Sequence, residues 1–66
     1  MTTPMSLTNR EIQILRLVSE YYTVKEIGDE LYITTNTVKA HIRHIYDKLG
    51  VNRRRYAVLA LKEGRV

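Results

Sequence analysis

The chain has 66 residues, no cysteine and a net charge of +4 at neutral pH. A chain of this size supports one small core, burying about 60% of its unfolded surface, and without cysteine it has neither disulfides nor a thiolate metal site. No apolar run approaches the roughly 20 residues of a membrane span, and the start MTTPMSLTNRE lacks the basic-then-apolar order of a signal peptide. The expected location is therefore the cytoplasm, with no membrane partner.

The charge is unevenly spread. Residues 1–33 carry three cations and five acids, for −2, whereas residues 34–66 carry eight cations and two acids, for +6. Such asymmetry favours a polyanionic partner without choosing among DNA, RNA and an anionic membrane surface.

Met1 to Ser6 is polar, contains Pro4, and reads as a flexible lead-in to a single folded unit over residues 7–66. Thr8 to Glu11 has the form of a capping box, with Leu7 as the apolar staple before it. A first helix is expected over 9–20, with Ile12, Leu15 and Val18 in register and Ile14 and Leu17 widening the stripe. Tyr21 and Tyr22 interrupt it, as a rigid connector or as part of the core rim. Thr23 to Glu26 is a second capping box, opening a short helix over 24–31 with Ile27 and Leu31 facing inward. Gly28 inside that helix costs roughly 1 kcal/mol relative to Ala; close approach of the next helix would justify it. Tyr32 and Ile33 leave only a very short turn, which gives the helix-turn-helix arrangement with the second helix projecting outward. Ile33 is expected to plug the corner.

The run TTNTVKAHIRHIYDKL, Thr34 to Leu49, is the stretch that the rest supports. Val38, Ile42, Ile45 and Leu49 recur by four, three and four residues, one stripe of an α-helix. Asn36, Lys39, Ala40, Arg43 and Asp47 share the opposite side. Thr34 suits the N-cap and Gly50 a left-handed C-cap. A front with two cations flanking a small Ala fits a negative surface that must be approached closely, as the DNA major groove must. After Gly50, Asn52 is a candidate N-cap for a last helix over 53–63, ending at Gly64. Ala57 and Leu61, with Tyr56, Val58 and Ala60, are its apolar positions. Leu59 and Val58 exceed what one side of a small core needs and are candidates for a partner-facing surface.

Taken together, these residues resemble the DNA-binding domain of LuxR-type transcription regulators, also found on NarL-type response regulators. The matching pieces are Leu7-Thr8-x-Arg10-Glu11, Lys25-Glu26-Ile27, Leu31-x-Ile33, Thr37-Val38-Lys39-x-His41, Ile45-Tyr46-x-Lys48-Leu49-Gly50-Val51, Arg54 and Ala57-Val58. The resemblance covers Leu7 to Gly64. It implies an all-α, four-helix fold: a three-helix helix-turn-helix core plus a C-terminal helix. It implies sequence-specific binding of double-stranded DNA, with the helix over 35–49 in the major groove. Carried over by position, base contacts fall to Lys39, Ala40 and Arg43. Backbone contacts fall to Lys25, Thr35, Asn36, Thr37, Lys48 and Arg53. The last helix becomes the dimer surface, through Val58, Leu59 and Lys62. The partners expected are DNA, a second copy on DNA with a monomer in free solution, and RNA polymerase as a further candidate. Neither catalysis nor a cofactor is expected. The family usually has Gly where Tyr21 stands, Asn where Val24 stands and Ala where Gly28 stands. Only Gly adopts a left-handed cap without steric cost.

Each assignment has a plainer counterpart. Lys39 and Arg43 alone would be an ordinary solvated face, and Thr34 to Thr37 would be only helix-start residues. His41 and His44 lie three apart but have no third ligand at a sensible spacing, so no metal is expected. Glu11 and Arg54 are read as an ion pair tying the first helix to the last, with a capping role for Glu11 beside it. The other reading of the whole chain is a protein-interaction module using the apolar last helix and the basic face. RNA binding is disfavoured, because a lone helix fits the deep, narrow A-form groove poorly.

Overall fold

The computed structural model describes residues 6–66; most of the expected flexible lead-in, residues 1–5, lies outside them. Four helices follow in order: α1 Asn9–Ser19, α2 Val24–Leu31, α3 Thr35–Leu49 and α4 Arg54–Lys62. Each expected helix is present, within two residues at either end. The described residues contain no strand.

Local chemistry explains the starts. The Thr8 hydroxyl accepts from the Glu11 backbone N–H at 3.1 Å, and the Glu11 carboxylate accepts from the Thr8 N–H at 2.9 Å. Thr23 and Glu26 repeat this at 3.1 and 2.8 Å. At α3 the Thr34 hydroxyl accepts from the Thr37 N–H at 3.1 Å, but Thr37 stands where the first two helices have Glu. Asn52, the expected cap of α4, is passed over. Arg53 holds the N-cap place in extended conformation and makes no side-chain cap bond, as a guanidinium has no acceptor to offer.

The ends share one pattern. The N–H groups of Tyr22, Ile33, Val51 and Arg65 reach back five residues to the carbonyls of Leu17, Gly28, Tyr46 and Ala60. The residue before each is left-handed: Tyr21 at φ 67°, Tyr32 at 59°, Gly50 at 69° and Gly64 at 73°. This is the Schellman stop. It keeps its geometry at Tyr21 and Tyr32, where a side chain costs on the order of 1 kcal/mol that glycine would not incur.

α1 packs on both α3 and α4, and α2 packs on α3. The core is Leu7, Ile14, Leu15, Val18, Ile27, Val38, Ile45 and Ala57. Because α1 is covered from two sides, its inward face centres on Ile14, Leu15 and Val18, and Ile12 and Leu17 lie at the margin. Ile33, Ile42 and Leu49 also pack at the edge, whereas Tyr21 is largely exposed and Tyr22 and Tyr56 are partly so. Gly28 is buried under the α2–α3 turn. A Cβ there would lie 2.7 Å from the Ile33 carbonyl oxygen, so the close approach comes from turn backbone rather than from the next helix.

Candidate nucleic-acid interface

α3 is held from behind and open in front. Val38 and Ile45 are buried, while Thr35, Asn36, Thr37, Lys39, Ala40, Arg43, His44 and Asp47 are exposed. His41 is half-buried on one flank. Neither Lys39 nor Arg43 makes an ion pair with the described residues, so both charges face solvent uncompensated. The first turn of α3 contains no acid, so no carboxylate neutralises the positive end of its dipole there. The Thr34 hydroxyl donates to the Thr37 hydroxyl at 2.9 Å, which leaves the Thr37 proton able to point elsewhere. Arg53, Arg54 and Arg55 are exposed around the start of α4, another first turn without an acid.

One expected pairing is corrected. Glu11 does not pair with Arg54. Its carboxylate takes the Lys48 ammonium at 2.8 Å, an inter-helix bond between residues 37 apart. Lys48 thereby ties α3 to α1. The register of α3 explains it: Lys48 follows His41 by seven residues and lies on that flank, away from Lys39 and Arg43. Burial pushes the Glu11 carboxyl up. The Lys48 hydrogen bond, the Thr8 backbone N–H and the Lys48 charge together outweigh that and hold it below the usual carboxylate range.

Arg54, displaced from Glu11, stacks its guanidinium over the Tyr21 ring at 4.6 Å from the centroid. It also lies close enough to Tyr46 to draw down a phenol that burial pushes up. The sequence carried a signal for the stacking, an aromatic at the α1–α2 corner and an arginine opening α4, but no spacing rule joins residues so far apart. Lys25 is fully outward and shares its charge with Asp29 one turn on, at 3.1 Å. Such an exposed pair contributes little and gives way readily to a competing anion. On α4, Leu59 and Lys62 are exposed, whereas Val58 is half-buried against the core.

No helix among the described residues is long and apolar enough to cross a membrane.

The comparisons with known proteins agree with this arrangement. Residues 5–61 match the family described as bacterial regulatory proteins, luxR family. The transcriptional regulatory protein LiaR of Bacillus subtilis (strain 168) is 54% identical over 54 residues, which cover 82% of this chain and 26% of that protein. The transcriptional regulatory protein DegU of Brevibacillus brevis is 43% identical over 59 residues, 88% of this chain and 25% of its own. The chain thus spans about a quarter of the length of these curated relatives. Among solved structures, the response regulator ChrA of a heme-sensing two-component system superposes with a TM-score of 0.84 at 38% identity, covering 91% of this chain and 30% of ChrA. With four helices, an outward-facing third helix and a family match over most of its length, the chain belongs to the LuxR family of bacterial transcription regulators, as a helix-turn-helix domain of the DNA-binding kind.

Proposed function

We propose that this domain binds double-stranded DNA sequence-specifically, with α3 in the major groove, and that two copies dock on adjacent half-sites. The observation that carries this reading is the exposure, on one face of a core-backed helix, of two unpaired cations around a small residue. Lys39 and Arg43 reach base edges, and Ala40 lets the backbone come close. Arginine and lysine fit the two acceptors of guanine, and each such contact carries about 1–3 kcal/mol of discrimination. Thr35, Asn36 and Thr37 offer hydroxyls, an amide and helix-start N–H groups to phosphates. Lys25 and Arg53 supply long-range attraction and phosphate contacts.

The two copies meet through α4, at Leu59, Lys62 and the exposed edge of Val58, with half-sites about one helical turn apart. Phosphate neutralisation makes binding fall steeply as salt rises. The test compares Arg43→Ala with Arg53→Ala on a selected duplex and on random duplexes. Arg43→Ala is expected to lose its preference for the selected duplex. Arg53→Ala should weaken both alike and reduce the salt slope by about 1. Equal losses on both duplexes from both variants would overturn the division between reading and positioning residues.

A further inference from the structure

The α1–α2 corner and α4 enclose a groove of about 280 Å³, lined by Tyr21, Arg54, Arg55, Val58, Leu59 and Lys62. Its α4 side is the dimer face proposed above, and that face alone is small. Val58 is half-buried and Leu59 is 46% exposed, against the roughly 800 Å² per partner of a stable interface.

Tyr21 is 76% exposed and left-handed, at a helix stop that glycine would close without strain. Among the described residues its ring stacks on the Arg54 guanidinium and is not part of the core. An aromatic that buries about 150–250 Å² on contact supplies the kind of area α4 lacks.

We propose that Tyr21 is a dimer residue, packing on the Leu59 side of α4 in a second copy of this chain. A two-fold axis makes the contact twice, once in each direction. This inference rests on the dimer reading. Arg54, Arg55 and Lys62 around the groove oppose the approach of an identical basic surface in free solution. DNA relieves that repulsion with its phosphates and holds two protomers at high effective concentration. The contact therefore forms on DNA and not in its absence.

The experiment measures cooperativity on a duplex selected from a random pool for binding the parent protein, alongside the same duplex cut to one half-site. Tyr21→Gly should lower the cooperativity factor about tenfold and leave single half-site affinity unchanged. The melting temperature should stay within a few degrees, because relief of strain offsets the lost stacking. Tyr21→Asn, which also tolerates the left-handed region, should behave the same way and guards against a change of fold. Leu59→Ala is the reference. If it abolishes cooperativity and the Tyr21 variants do not, the present inference fails alone. If none of the variants alters cooperativity, or the parent shows none, the dimer reading fails with it. Equal loss on the single half-site would make Tyr21 a DNA contact and overturn the inference.

Discussion

The first two helices and the last two solve the same end problem in opposite ways. α1 and α2 close their N-termini with a threonine and a glutamate, and stop on left-handed tyrosines. α3 and α4 have no acid in their first turn, and stop on glycines. A capping-box carboxylate satisfies orphan N–H groups from within and neutralises the positive end of the helix. Its absence leaves that end for something outside. The net charges of −2 and +6 for the two halves follow the same division. The acidic half closes its helix starts with its own carboxylates, and the basic half leaves its helix starts without one.

The largest test concerns the bond that joins the two halves. Lys48→Met strands the Glu11 carboxylate in a nearly dry site and should lower unfolding stability by about 3 kcal/mol, read from the urea midpoint. DNA affinity should hold at temperatures where the variant stays folded. Undiminished stability with weakened DNA binding would make Lys48 a DNA contact rather than a strut. The pH dependence has a definite sign. Glu11 is held below its ordinary range in the folded state, so its contribution is present at neutral pH and is lost as pH falls through the lowered folded value. Thermal melts between pH 7 and pH 3 should show this decline, and Glu11→Gln should flatten it.

Next in size is the proposed reading face. Arg43→Ala should remove about 2 kcal/mol of preference for the selected duplex, measured as a ratio of dissociation constants at fixed salt.

Thr37→Glu breaks the comparison directly, by giving α3 the capping box that α1 and α2 have. It should stabilise the free domain by about 0.5 kcal/mol while weakening DNA binding about tenfold, through repulsion of phosphate at the helix start. Stability and binding moving in the same direction would show that the open N-terminus has no part in recognition.

The smallest effect is at Tyr32, which is 94% exposed and left-handed. Tyr32→Gly relieves strain and loses no packing, so stability should rise by about 0.5 kcal/mol, visible as a small increase in melting temperature.

Most of the fold was legible before any coordinates. Thr8, Thr23 and Thr34 mark their helix starts because capping is settled within four residues. Val38 and Ile45 identify the buried back of α3 because helical periodicity is local. The exposed front with Lys39, Ala40 and Arg43 follows from the same wheel. Legibility ended where a side chain chose between distant partners. Arg54 was assigned to Glu11 by family position, yet Lys48 holds that carboxylate. No local rule along the chain joins Lys48 to Glu11, 37 residues away.

What the linear order determined by itself is the set of helices, their capping and the face each presents, because those depend on neighbours three to five residues away. What the tertiary structure alone decided is which distant side chains meet: Lys48 with Glu11 across 37 residues, and Arg54 on Tyr21. Those choices rest on how rigid helices stack around a core. Proximity created by packing leaves no periodic trace along the chain.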